Sequence, residues 1–206
     1  METELTKSTF SCKLGILSRP DGSAILSKDN TTVIAGIYGP IEVKLQKLLI
    51  DKASVECHYR PKSGLPGIED RMHESIIRNT CEASLVASLH PRTAVLVAIQ
   101  ELQNSGQLIS CAVNAVCLAC LHAGIDMKFM FGAVTCFSNG VEMSLNPPAQ
   151  THIKAVFVFV FDSTEKRVIA SHTKGIFTKE QFEEAVELCR SGSDQVFDYY
   201  KKVLTN

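Results

Sequence analysis

The sequence predicts an α+β fold in which two lobes, each a run of strands followed by helix, pack into a single domain over residues 1–206. Three observations predict it. Runs rich in Val and Ile, bounded by turn residues, fall into two groups, and long helical stretches close each group. A short polar break near Gly124 to Lys128 divides them, giving lobe one at about 8–125 and lobe two at about 128–203. With 45% hydrophobic residues in 206, the chain is long and apolar enough to bury a sizeable core.

The elements follow in order. Phe10 to Leu17, Gly22 to Leu26, Thr32 to Tyr38 and Ser54 to Tyr59 alternate as strands, with Pro20-Asp21-Gly22 and Lys28-Asp29-Asn30 as turns, and a meander is expected. From Ile68 to Leu89, apolar residues at Met72, Ile76, Ile77, Cys81, Leu85 and Leu89 keep a helical period until Pro91, so a long amphipathic helix is expected. Thr93 to Leu102 reads as a strand, Gln103 to Gly106 as a turn, and Ser110 to Ala123 as a small-residue helix. Phe129 to Phe137, Val141 to Leu145, Ala155 to Phe161 and Arg167 to His172 are strand-like. The alternating Val and Phe of residues 156–161 put apolar side chains on both faces, as in a strand covered on both sides. Thr178-Lys179-Glu180-Gln181 is a capping box opening a final helix to Val203.

The segment Asn104 to Ala112 is the most informative. A strand, a glycine-containing turn and a helix N-terminus make a natural anion site, because free N–H groups and the positive end of the helix dipole point at whatever docks there. A working site adds a hydroxyl and a fixed cation, and here the sequence offers Leu108 and Ile109.

Other motifs share the same residues. The near balance of 21 Lys and Arg against 22 Asp and Glu argues against a free-standing protein that grips nucleic acid by bulk charge. No N-terminal stretch pairs a basic start with an apolar run, and no apolar segment approaches the roughly 20 residues of a membrane span, so a soluble intracellular protein is expected. Eight cysteines among apolar neighbours read as reduced core thiols. Cys117 and Cys120, with His122 after them, have the spacing of a redox or zinc knuckle, but no second ligand pair is evident and Val113 to Leu121 is nearly all apolar, which favours a buried helix. Asp21-Gly22 and Gly64-Leu65-Pro66-Gly67 read as turn and loop.

Leu17-Ser18-Arg19-Pro20-Asp21-Gly22-Ser23, Ala35-Gly36-Ile37-Tyr38-Gly39-Pro40, Gly64-Leu65-Pro66-Gly67, Ile77-Arg78-Asn79-Thr80-Cys81-Glu82-Ala83, Leu89-His90-Pro91-Arg92-Thr93 and Thr173-Lys174-Gly175 carry a family resemblance. In these segments, from about residue 8 to 203, the chain resembles the RNase PH-like ring subunits of the eukaryotic RNA exosome. The resemblance implies the RNase PH fold, two β-α halves packed into one domain and resembling the ribosomal S5 domain 2-like fold. It also implies a six-membered ring with other RNase PH-like subunits, cap subunits with RNA-binding domains, single-stranded RNA passing through the complex, and residence in nucleus, nucleolus and cytoplasm. No cofactor is implied.

Phosphorolysis of RNA needs a bound phosphate, carboxylates for the leaving oxygen or a metal, and cations for the backbone. In active RNase PH-type enzymes the turn reads Asp-Gly-Gly-Thr-Arg, and its Thr and Arg fall by position on Leu108 and Ile109. Their carboxylates lie in an Asp-rich stretch corresponding to 145–155 here, which has no Asp or Glu and in which Gln150 and Lys154 mark the degenerate acid site. His152 and Lys154 are either a substitute acid–base pair or an exposed loop histidine and a strand-edge charge. Arg78 matches an RNA-binding arginine of the family, Arg71 lies seven residues earlier on nearly the same helical face, and Arg60 with Lys62 extends the patch. The competing reading pairs Arg71 and Arg78 with Glu69, Asp70, Glu74 or Glu82. Three functions stand: a catalytically silent ring subunit, a residual phosphorolytic or hydrolytic nuclease, and a nucleic-acid-binding homodimer outside the complex.

Overall fold

A computed structural model of the chain describes residues 10–43, 45–140, 142–146 and 153–205. The first half comprises strands β1 (Phe10–Leu14), β2 (Gly22–Lys28), β3 (Thr31–Glu42) and β4 (Ser54–Arg60), helix α1 (Ile68–Ser84), strand β5 (Thr93–Gln103) and helix α2 (Leu108–Ala123). The second comprises β6 (Phe131–Ser138), β7 (Met143–Ser144), β8 (Ala155–Asp162), β9 (Val168–Gly175) and helix α3 (Lys179–Thr205). Two sheets form, with strand orders β1-β2-β3-β5-β4 and β7-β6-β8-β9. Among the described residues no helix is long and apolar enough to cross a membrane.

The expected four-strand meander is three strands long. β4 does not pair with β3; it lies at the sheet edge, parallel to β5, which occupies the place beside β3. The cause is the β4-α1-β5 connection, since a helical crossover brings the next strand back parallel to the first. Rows such as Ile37–Val97–Cys57 and Ala35–Ile99–Tyr59 turn inward under the helices and are buried. The alternate rows, among them Tyr38–Leu96–Glu56 and Gly36–Ala98–His58, turn to the opposite face.

α1 starts where the side chain of Asp70 accepts the N–H of Gly67 at 2.8 Å. It stops at Ser84, short of the expected Leu89. Leu85 is extended and bridges to Met127, the Val86 N–H donates to the Asp126 carbonyl at 3.0 Å, and a 3-10 turn takes Ala87–Leu89. Pairing with the inter-lobe connector therefore outcompetes another helical turn. The capping box of α3 forms as expected, with Gln181 Oε1 accepting the Thr178 N–H at 3.0 Å and Thr178 Oγ1 accepting the Gln181 N–H at 3.4 Å. β7 is two residues long, shorter than expected, and Val141 lies outside the described residues.

α2 is the centre of the molecule. Every residue from Leu108 to Cys120 is buried, so the helix is enclosed all round. On one side β2 comes so near that a Cβ at Gly22 would meet the Ala119 carbonyl oxygen at 2.4 Å. On the other, Asn114 completes β6. β7 pairs only with Phe137 and Ser138, and beyond them Asn114 Nδ2 donates to the Ala133 carbonyl at 3.0 Å while its Oδ1 accepts the Ala133 N–H at 2.7 Å. The Tyr200 hydroxyl of α3 donates to the same Oδ1 at 2.9 Å. Thr135 and Ser110 hydroxyls meet at 2.8 Å one turn earlier. β8 is covered on both sides, as its composition suggested. α2 and α3 both contact it, with Phe157 and Phe159 against Phe182 at 6.3 and 5.4 Å between ring centroids.

Asn114→Leu leaves a strand N–H, a strand carbonyl and a buried hydroxyl without partners. It is expected to cost about 3 kcal/mol or more, at roughly 1 to 3 kcal/mol for each of the three orphaned groups, against about 1 kcal/mol for Thr135→Val. Urea titration of the two variants beside the parent chain measures the difference; equal midpoints would show that α2 is held by apolar packing alone.

Candidate functional site

The turn before α2 is built but filled. Gly106 takes φ +96, which only glycine adopts without strain. Two backbone donors of the turn are engaged within the chain: the Gly106 N–H donates to Asn104 Oδ1 at 2.8 Å and the Ser105 N–H to Thr31 Oγ1 at 3.1 Å. α2 starts at Leu108, two residues before the expected Ser110, so Leu108 and Ile109 form its first turn. They are 8% and 9% exposed and belong to the core. Gln107 is buried too, and its Nε2 reaches Asp29 Oδ2 at 3.5 Å. The turn carries no side-chain cation; its hydroxyls are those of the exposed Ser105 and of the buried Ser110, which donates to the Gln107 carbonyl at 3.0 Å.

The structure brings Lys154 to the same end of β6. The Phe137 ring lies 3.9 Å from where a Cβ of Gly106 would stand, and the next residue, Ser138, accepts the Lys154 N–H at 2.9 Å. Lys154 is exposed, and its stem passes over Gly140. Gln150 and His152 lie outside the described residues.

Arg60, Arg71 and Arg78 gather elsewhere. They line one cleft of about 1100 Å³ that runs from the polar flank of α1 over the free edge of β4 and onto the outer sheet face. None of residues 104–109, nor Lys154, lines it, so within one chain the arginines and the filled turn are separate places. Lys62 is not among its lining residues, whereas Lys47 and Lys52 are, from a connector whose sequence gave no signal. Five basic side chains, Lys47, Lys52, Arg60, Arg71 and Arg78, thus face three carboxylates, Glu56, Glu74 and Glu82.

The carboxylates expected as partners are largely engaged. Glu82 pairs with Arg78 at 3.9 Å, Glu74 with His58 at 3.5 Å and Glu56 with Lys47 at 3.0 Å. Glu69 pairs with Lys174 at 3.0 Å across the seam between α1 and β9, and Asp70 caps the helix. Arg60 and Arg71 make no ion pair among the described residues. Of the two helix arginines, Arg78 thus has one of the expected carboxylates as a partner, and Arg71 has none among the described residues.

A model of the 3' exoribonuclease family, domain 1, that of RNase PH, matches residues 8–126. The chain belongs to the RNase PH family. It is similar to the exosome complex exonuclease RRP46 homolog of Arabidopsis thaliana, 30% identical over 94% of this chain and 89% of that one. It is similar as well to the crystal structure of rice (Oryza sativa) Rrp46, at a TM-score of 0.89 and 29% identity, covering 97% of this chain and 95% of that one. A chain of an archaeal exosome core shares the fold at a TM-score of 0.78 and 14% identity, over 94% of this chain and 87% of that one. The RNase PH fold that the motifs implied is therefore the fold of this chain.

In this RNase PH family member Cys117 and Cys120 are wholly buried in α2. Burial pushes the Cys117 thiol up to about 12 and the Cys120 thiol higher still, which suits packing and disfavours the thiolate that metal binding and exchange both need. His122 turns away to β2, where its Nδ1 accepts the Ser23 N–H at 3.4 Å. Cys117→Ala combined with Cys120→Ala is expected to lower stability by about 1 to 3 kcal/mol per site through lost packing, with metal content unchanged by elemental analysis. About one zinc per chain, lost in the double variant, would overturn the packing role.

Proposed function

We propose that this RNase PH family member is a catalytically silent subunit of the core ring of an RNA exosome, the counterpart of the RRP46 subunit called exosome component five in animals. It would support 3'-to-5' RNA processing and degradation by the complex as one domain of two lobes, about 8–125 and 128–203. Similarity to Rrp46 over nearly the whole of both chains supports the ring assignment. The single observation that carries silence is the burial of Leu108 and Ile109, beside a turn whose Ser105 and Gly106 N–H groups are engaged internally. Gln150 and Lys154 stand where the resemblance places carboxylates.

The partners are other RNase PH-like subunits in a six-membered ring, cap subunits with RNA-binding domains, and single-stranded RNA. The isolated chain pairs with itself. No cofactor takes part, and the complex works in nucleus, nucleolus and cytoplasm. Arg60, Arg71 and Arg78 contact RNA through its phosphates, consistent with the excess of cations over carboxylates in their cleft. A second reading, a residual nuclease, is favoured by one observation: the Arabidopsis relative is named an exonuclease.

Purification under mild conditions from cells is expected to give a multi-subunit particle. The isolated chain, given single-stranded RNA, phosphate and magnesium, is expected to release no nucleoside diphosphates. Their release, absent from a control preparation with the turn deleted, would establish the nuclease reading instead.

Arg71→Glu with Arg78→Glu is expected to weaken RNA binding by the assembled particle equally for all sequences and to flatten its salt dependence. A double variant that fails to enter the particle would make these arginines interface residues, and one that assembles and binds RNA normally would make them surface charges.

A further inference from the structure

Three aromatic side chains line the arginine cleft, Tyr38, His58 and Tyr59, and two of them are committed to the fold. Tyr59 is buried, with its ring edge-on to His73 at 5.6 Å and its hydroxyl donating to Glu101 at 2.8 Å. His58 pairs with Glu74 across the edge of β4. Tyr38 is different: it is half-buried, and neither its ring nor its hydroxyl has a partner among the described residues.

Its surroundings form a slot. Tyr38 stands on the outward row of β3, and its diagonal neighbour on β5 is Ala98, whose methyl gives a low floor in the same cleft. On the far side of that floor lies Gly36, two residues along β3, onto which the loop before β2 folds so closely that a Cβ there would meet Leu17 and Pro20 at 3.4 Å. Leu17 is 39% exposed and lines the cleft as an apolar wall facing the same space. Across the floor, in register, come His58 and then Arg60 on β4. A flat ring, a low floor, an apolar wall and unpaired guanidinium groups nearby fit a flat apolar group carried on a polyanion, which is the chemistry of a single-stranded nucleic acid.

We propose that Tyr38 is a base-stacking platform for single-stranded RNA, with the base seated over Ala98 against Leu17 and the adjacent phosphates held by Arg60 and Arg71. The proposal rests on the reading of this cleft as an RNA surface and adds to it a residue that senses bases and not charge. Stacking and phosphate pairing differ in their response to salt: stacking is nearly insensitive, whereas each phosphate contact contributes to the salt slope.

The experiment uses the assembled particle and a uridine-rich oligonucleotide carrying 5-iodouridine. Irradiation is expected to cross-link the oligonucleotide to Tyr38, located by peptide mass spectrometry. Tyr38→Ala is expected to weaken binding about tenfold, the size of one base–aromatic contact, with the salt slope unchanged. Tyr38→Phe, which keeps the ring, should bind within about twofold of the parent, whereas Arg71→Glu should flatten the slope. If Tyr38→Ala binds normally while the arginine variants do not, the stacking role falls and the RNA reading of the cleft stands. If none of the variants affects binding, both fall. If Tyr38→Ala prevents assembly while Tyr38→Phe assembles, or if Tyr38 cross-links only to a protein neighbour, the slot is a subunit interface and the proposal is overturned.

Discussion

The pairing of Asn114 with the backbone of Ala133 is the contact on which the arrangement of the two sheets depends. A helix enclosed on every side can be positioned by apolar packing in several nearly equivalent ways, because dispersion and the hydrophobic effect have little directionality. A carboxamide that must satisfy both a donor and an acceptor of one residue has a single register. Asn114 supplies that register between α2 and β6, and Tyr200 ties α3 to the same oxygen. Gly22 fixes the other side by letting β2 approach α2 more closely than any side chain would permit. The helix that carries the filled turn at its start is therefore also the piece that holds the two sheets together.

This arrangement divides the surface. α1 and α2 cover the inner face of the five-stranded sheet, so the rows containing Tyr38, Ala98 and His58 remain open, and the cleft forms where this open face rounds the edge of β4 to meet α1. The two regions that sequence reasoning joined into one apparatus do not share a cleft within one chain: Arg60 pairs with Gln100 of β5, and the turn that follows this strand lies outside the cleft. The cationic residues retain exposed chemistry because they are on a helix flank and a sheet edge, where nothing in the core constrains them. Leu108 and Ile109 have none to offer because they have become core.

Much of this was legible in the sequence where local chemistry decides structure. β2, β4 and β8 follow their alternation closely, and Thr178 with Gln181 announces α3 because a capping box is a local hydrogen-bond pair. What could not be read was long-range. The place of β5 between β3 and β4 depends on a crossover, and the end of α1 depends on Leu85 finding Met127. Asn114 looked like one polar residue in an apolar helix, since its partner is a backbone nineteen residues away. At the site, Leu108 and Ile109 were visible by residue type alone, and the shared cleft of Arg71 and Arg78 followed from their helical spacing. Tyr38, Lys47 and Lys52 were not visible as cleft residues, because only the folded sheet brings the connector after β3 beside α1.

The burial of Leu108 and Ile109 ties any polar chemistry at this turn to the stability of the fold. A hydroxyl or guanidinium placed at either position would enter the apolar layer between the two sheets, so stability would fall whatever the new group could bind. Substitution is therefore unevenly free: the cleft and the outer sheet face lie outside the core and tolerate new chemistry, while at this turn the packing that keeps the protein folded resists it.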